Sequence, residues 1–199
     1  MIKDLLEIIS CPIEDTDFVI SSKKKLEEDG ALTIPDFLNK RVVSDLVKEA
    51  KSQQHLAFYT KSTHNVYLTP NSQEYAEDHI FNRQIISSKG CITTDQIPNN
   101  SHLKTIYRSD IFKNFIANLV NEKALYEYDG PFSSINIHYA SEGQELGWHF
   151  DNSTFAVTLL LQKPVGGGVF EYVKDVRDSE KADFAFEKVE RIVEGALKP

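Results

Sequence analysis

A histidine and an aspartate two positions apart, His149 and Asp151, are the residues of this chain whose types and spacing best fit metal chemistry. Successive side chains of an extended strand point to opposite faces, so residues two apart point the same way. An imidazole nitrogen and a carboxylate oxygen from such a pair can both reach one metal ion. The pair therefore predicts two metal ligands on one extended segment.

A set of two histidines and one carboxylate holds one face of Fe(II) and leaves the other positions open, so His149 and Asp151 need one more histidine. No histidine follows His149 in the sequence. His138 is the best internal candidate, because it lies on the polar face of a predicted strand. The remaining histidines lie in the predominantly helical half, where surface or capping roles are expected: His55, His64, His79 and His102. The structural alternative is that His149 only stabilises a turn.

The elements around the pair are predicted to be strands. Polar residues at 134, 136 and 138 alternate with apolar residues at 135, 137 and 139, which is the pattern of a strand with two different faces. Further strands are expected over residues 143–151, 155–162 and 169–173. Four strands joined by short turns predict an antiparallel sheet that closes as a sandwich or barrel. The polar face of the first strand either lines a site or faces solvent.

The first half of the chain has mostly helical patterns. Asn39 is expected to cap one helix and Ser109 another, and Gly30 is expected to end a short polar helix. A brief strand is predicted over residues 31–34, and a helical segment over residues 184–193. The patterns between residues 55 and 102 are mixed and predict no order of elements.

Composition restricts the class of protein. The chain has 199 residues, 41% of them apolar and 26% charged, which is typical of one globular domain. Its net charge of -8 opposes binding to nucleic acids or to anionic membranes. We therefore expect neither a nucleic acid nor a membrane as a partner, and the oligomeric state stays open. Two cysteines eighty positions apart, without metal-site spacing, predict a cytoplasmic location.

Several motifs around the pair resemble one enzyme family. Tyr139, Gly143 and Leu146 precede the pair, and the apolar run 155–162 and the glycine-rich segment 166–170 follow it. This order resembles the first half of the double-stranded β-helix of Fe(II)- and 2-oxoglutarate-dependent oxygenases. The interval from Tyr139 to Gly143 is one residue longer than the common form.

A longer comparison points to one branch of that superfamily. Five stretches are similar to the branch that contains hydroxylases and halogenases of free amino acids such as lysine. They are residues 29–31, 35–38, 146–152, 159–164 and 170–173. Halogenases of this group replace the acidic ligand by a small residue, and Asp151 keeps the carboxylate. The resemblance therefore implies hydroxylation of an unactivated C–H bond in a small, amino-acid-like substrate, with Fe(II), 2-oxoglutarate and O₂.

The resemblance also implies a fold. It is an α+β structure with a double-stranded β-helix core, of the jelly-roll or cupin-like type, on which N-terminal helices pack. Residues 1–199 would form a single oxygenase domain, with a mainly helical support over 1–128 and the first half of the core over 129–199. Its last core strands would be missing.

Roles for individual residues follow from the same resemblance. His149 and Asp151 would hold the metal and form the catalytic centre. Contacts to the 2-oxoglutarate cofactor are expected from Asn136, His138 and Tyr139, and contacts to the substrate from Trp148 and Asn152.

The family's distal histidine, and its basic residue that binds 2-oxoglutarate, belong after the glycine hairpin. Arg177 comes too soon after the hairpin for the basic residue. We therefore expect a C-terminally truncated oxygenase that is inactive in isolation. A non-catalytic β-barrel of the same ancestry, used as a binding module, is the alternative.

Overall fold

The computed structural model describes residues 5–178, 181, 183–197 and 199. The helices among these residues are α1 (Leu5–Ile8), α2 (Thr16–Asp29), α3 (Lys40–Gln53), α4 (His102–Arg108), α5 (Asp110–Leu119) and α6 (Phe186–Val193). Short 3-10 turns cover Gln54–Leu56 and Thr94–Gln96. The strands are β1 (Phe58–His64), β2 (Ile85–Ile92) and β3 (Ile137–Tyr139), and they form an open antiparallel sheet in the order β1-β2-β3. No described helix combines the length and the apolar character needed to cross a membrane.

The chain divides into two compact units, each built from three segments of the sequence. The first unit contains residues 1–58, 91–139 and 159–163, and the second contains residues 59–90, 140–158 and 164–199. Each unit therefore draws on both the expected helical support and the expected core. That residues 1–199 form a single domain stays a prediction.

Helix ends in the first unit confirm the capping expectations. The Asn39 side chain accepts a hydrogen bond from the backbone N–H of Arg41 at 2.9 Å, and the Ser109 hydroxyl accepts one from Phe112 at 3.3 Å. Gly30 ends α2 with a positive φ of 73°, a conformation that costs glycine little. The main core of this unit consists of Leu5, Ile8, Ile9, Ile13, Leu38, Val42, Leu46, Ile106, Phe115 and Leu119. The brief strand expected over residues 31–34 does not form.

The second unit has an aromatic core centred on Tyr67. Its ring is 3% exposed, and its hydroxyl donates a hydrogen bond to the Phe184 carbonyl at 2.7 Å. Burial raises the pKa of Tyr67 to about 12, although the nearby Arg177 guanidinium acts in the opposite direction. Helix α6 lies within the helical segment predicted from sequence. An ion pair of 2.8 Å between Arg83 and Glu190 links it to the loop before β2.

The strands expected after residue 139 are absent from the described residues. The first expected strand is represented by β3, but residues 143–151, 155–162 and 169–173 form no strands. A strand needs a neighbour that accepts and donates its backbone hydrogen bonds, and these segments have none of sufficient length. Their apolar side chains stay uncovered, as Leu160 (73% exposed) and Phe170 (79% exposed) show. The structure is a mixed α and β fold, and the double-stranded β-helix is not confirmed.

Candidate metal centre

Backbone hydrogen bonds fix the segment that carries His149 and Asp151. The N–H of Ser88, on β2, donates to the Glu145 carbonyl at 2.7 Å. The N–H of Phe150 donates to the carbonyl of Val66, just beyond β1, at 2.8 Å. The segment is thus attached at two points, on β2 and just beyond β1, although it is not itself a regular strand.

Successive side chains of this segment have different roles. Phe150 packs against aromatic residues, and its neighbours His149 and Asp151 are the candidate ligands. The Phe150 ring stacks on Tyr67 at a centroid distance of 5.6 Å, and the Arg177 guanidinium lies 4.1 Å from the centre of the Phe150 ring. Its two neighbours in the chain meet each other: His149 Nε2 lies 3.5 Å from Asp151 Oδ1. Their side chains are 32% and 59% exposed, so an incoming ion can reach both. The i, i+2 spacing has the geometry that the sequence suggested.

A hydrogen bond orients the His149 ring. Nδ1 lies 2.7 Å from the Gly147 carbonyl oxygen. A carbonyl oxygen only accepts hydrogen bonds, so Nδ1 carries the proton and donates it. In the neutral ring, Nε2 then has a free lone pair on the side of Asp151. Metals bind this form of imidazole, with the other ring nitrogen held by a hydrogen bond. An imidazole nitrogen and a carboxylate oxygen are donor types that suit Fe(II), and the metal-binding role of the two residues stays a prediction.

Glycine is required at position 147 for the segment to lie this close to β2. A Cβ atom there would be 2.4 Å from Ile85 Cγ2 and 2.8 Å from the Ile86 carbonyl oxygen. Both distances are shorter than any ordinary van der Waals contact. Because the Gly147 carbonyl also orients His149, the close approach and the ring orientation depend on the same residue.

A third protein ligand is not found in the part of the chain that the structure describes, where no three His, Cys, Asp or Glu side chains are grouped to hold a metal ion. His64 comes near, with its ring perpendicular to that of His149 and the centroids 5.7 Å apart. Both of its nitrogens have partners: Nδ1 lies 2.9 Å from the Asn65 carbonyl oxygen and Nε2 lies 2.7 Å from Ser87 Oγ. In this arrangement His64 contacts a candidate ligand without being one.

The placement of His64 corrects a sequence expectation. His64 ends strand β1, whereas it was expected in a mainly helical region with a surface or capping role. Eighty-five positions separate it from His149, and no pattern in the sequence indicated that the two rings meet. Ser87 and Asn65, the partners of His64, were missed for the same reason.

The residues expected to contact 2-oxoglutarate lie in the first unit. The Tyr139 hydroxyl donates to the Ala50 carbonyl at 2.6 Å, and the Asn136 amide oxygen accepts a weak bond from the Cys91 thiol at 3.8 Å. His138 is exposed on β3. His149 and Asp151 belong to the second unit. The cofactor-binding role of these three residues stays a prediction.

Other candidates have ordinary local environments. Trp148 is half-buried and Asn152 is exposed, and their substrate-binding role stays a prediction. His55 Nδ1 lies 2.9 Å from the Ser52 carbonyl at the end of α3, as a capping residue would. His79 accepts a hydrogen bond from the Phe81 backbone at 3.2 Å.

Comparison with known proteins places the chain in an enzyme family. The fold and the site together define a mixed α and β protein that presents a histidine and a carboxylate in a geometry suited to a metal. The model of the halogenase D family matches residues 13–194, and the chain belongs to this family. No curated protein and no solved structure matches the chain.

Proposed function

We propose that this protein is an Fe(II)- and 2-oxoglutarate-dependent dioxygenase that hydroxylates an unactivated C–H bond of a small, amino-acid-like substrate. One observation carries the proposal: His149 Nε2 lies 3.5 Å from Asp151 Oδ1 while Gly147 holds the proton on the other ring nitrogen. Membership of the halogenase D family supports an oxidative enzyme.

The chain's own residues would prepare the metal centre. His149 supplies a neutral nitrogen and Asp151 a negatively charged oxygen, which are ligand types that suit non-haem Fe(II). With 2-oxoglutarate and O₂, bound Fe(II) supplies the oxidising power needed to break a C–H bond. The Asp151 carboxylate would occupy the coordination position that a halide would need. Retention of this carboxylate therefore supports hydroxylation within a family named for halogenation.

The proposal needs a third metal ligand besides His149 and Asp151, and the described residues do not group one with the pair. Asn136, His138 and Tyr139 are proposed to contact 2-oxoglutarate. Trp148 and Asn152 are proposed to contact the substrate.

Anaerobic titration of the chain with Fe(II) in the presence of 2-oxoglutarate tests the proposal. In chloride-free buffer, we expect a weak visible charge-transfer band that His149→Ala and Asp151→Ala abolish. His55→Ala is the matched control, because it removes a histidine that bonds to the Ser52 carbonyl at the end of α3, and it should leave the band unchanged. If wild type shows no band at iron concentrations far above that of the protein, or if the two ligand variants keep it, the proposal is wrong.

A metal-free binding module is the second candidate. It is favoured by the lack of a three-donor group in the described part of the chain. This candidate predicts that the chain binds an amino acid in the presence of a metal chelator, and that His149→Ala binds it equally well. Calorimetric titration with a panel of free amino acids, with and without Fe(II), separates the two functions.

A further inference from the structure

A continuous series of hydrogen bonds connects the end of β1 to His149. The Asn65 carbonyl lies 2.9 Å from His64 Nδ1, and His64 Nε2 lies 2.7 Å from Ser87 Oγ. The Gly147 N–H donates to Ser87 Oγ at 2.8 Å, and the Gly147 carbonyl lies 2.7 Å from His149 Nδ1. All five residues belong to the same compact unit.

The chemistry of the groups gives every bond in this series one direction. The Asn65 carbonyl can only accept, so His64 Nδ1 donates to it. In the neutral ring, His64 Nε2 then accepts from the Ser87 hydroxyl, whose single hydrogen is thereby used. Ser87 Oγ accepts from the Gly147 N–H with a lone pair. At the far end, the Gly147 carbonyl accepts from His149 Nδ1.

Several members of the series are attached to other parts of the structure. Asn65 is 1% exposed, and its side-chain amide bonds to the Thr69 carbonyl at 2.8 Å and accepts from the Thr69 N–H at 3.1 Å. Ser87 lies on β2. Gly147 is held on both sides of its Cα, by Ser87 through the N–H and by His149 through the carbonyl. The carbonyl that orients His149 is thus fixed by contacts beyond the ligand itself.

We propose that His64 and Ser87 are positioning residues for the metal ligand His149. Acting through Gly147, they keep the proton of His149 on Nδ1 and present Nε2 on the side of Asp151. Groups behind a metal-bound histidine orient the ring and raise its basicity, and their removal typically weakens metal binding about 10- to 100-fold. The part of the proposal that concerns metal affinity rests on the proposed function, whereas the part that concerns the His149 tautomer does not.

The first test measures the tautomer in the metal-free protein. Long-range ¹H–¹⁵N NMR, at a pH of about 8 where an ordinary histidine is neutral, distinguishes a protonated Nδ1 from a protonated Nε2. We expect the Nδ1–H form for both His64 and His149 in wild type. Ser87→Ala should shift His149 towards a mixture of the two forms, and Ser87→Thr, which keeps the hydroxyl, should restore the wild-type signals.

Two further variants show whether an effect comes from the orientation of His149 or only from the attachment of its segment to β2. Ser88→Ala is the matched control: Ser88 is the next residue on β2, and its hydroxyl accepts from the Glu145 N–H at 3.3 Å. It should leave the His149 tautomer unchanged. His64→Phe keeps a ring beside His149 but removes both hydrogen bonds, so it should behave as Ser87→Ala does. The proposal is overturned if His149 carries its proton on Nε2 in wild type, or if Ser88→Ala and Ser87→Ala have the same effect.

The second test measures metal affinity by anaerobic Fe(II) titration of the same variants. Ser87→Ala and His64→Phe should weaken binding about tenfold, and Ser87→Thr and Ser88→Ala should bind as wild type does. No Fe(II) binding by wild type would contradict the proposed function and leave the NMR result to decide the tautomer. Normal binding by Ser87→Ala would contradict positioning while the proposed function stands.

Discussion

Replacing Gly147 by alanine should both destabilise the unit and weaken the metal site. The added Cβ would lie 2.8 Å from the Ile86 carbonyl oxygen, about 0.6 Å inside the 3.4 Å at which ordinary contact begins. The Ile85 methyl group, at 2.4 Å, can turn away, but the backbone oxygen of β2 cannot. The segment therefore has to move away from the strand, and its hydrogen bonds to Ser87 and His149 lengthen.

The size of the effect follows from this contact. Forcing one extra carbon into a packed site costs about 1–3 kcal/mol, and a lost buried hydrogen bond costs about 1 kcal/mol. We expect Gly147→Ala to lower the free energy of unfolding by about 2 kcal/mol. With an ordinary urea dependence, the midpoint falls by about 1 M. Iron affinity should fall as well, because the moved carbonyl no longer orients His149.

The only tryptophan of the chain, Trp148, makes the assay local. It follows position 147 directly, so its fluorescence during urea unfolding reports on this segment. Gly166→Ala is the matched control, because a Cβ at Gly166 would meet nothing within 4 Å. The control should unfold like wild type. If both variants have the wild-type midpoint and iron affinity, the close approach to β2 does not position the ligand segment.

Three further outcomes are expected. The free energy of unfolding should fall as the pH rises from about 10 to about 12, because Tyr67 ionises near pH 10 in the unfolded chain but has a pKa of about 12 when folded. The expected loss is on the order of 2 kcal/mol. Urea unfolding measured across this pH range should show a smaller loss in Tyr67→Phe than in wild type. Asp151→Gly should bind Fe(II) only when chloride is present, since a halide can then take the position of the carboxylate; equal titrations with and without chloride would contradict this. Leu160→Ser and Phe170→Ser should lower binding of a hydrophobic dye and slow aggregation of the chain, because these side chains are 73% and 79% exposed; unchanged light scattering would contradict this.

Local features of the chain were predictable from the order of residues. The caps at Asn39 and Ser109 and the stop at Gly30 depend on contacts within a few positions, so residue type and spacing suffice to predict them. The juxtaposition of His149 and Asp151 is of the same kind. An extended backbone places residues two apart on one side, and the side chains meet even though the segment is not a regular strand.

Strand pairing could not be predicted in the same way. The apolar runs after residue 154 have the composition of strands, yet a strand exists only when another segment provides its hydrogen bonds. Only Ile137–Tyr139 formed among the four strands expected in the described residues. Residues 134–139 alternate between polar and apolar side chains and residues 155–162 form an apolar run, and both patterns are typical of strands. Sequence pattern alone therefore does not explain why only the first segment contributes a strand.

The environment of the ligand pair depends on residues far apart in the chain. Type and spacing were enough to select an imidazole and a carboxylate on one side of an extended segment. Folding brings His64 to His149, the Ser87 hydroxyl to the Gly147 N–H, and Tyr67 to Phe150. The physical reason is range: backbone geometry acts over two to four residues, whereas hydrogen bonds and packing join any groups that the folded chain brings within a few ångströms.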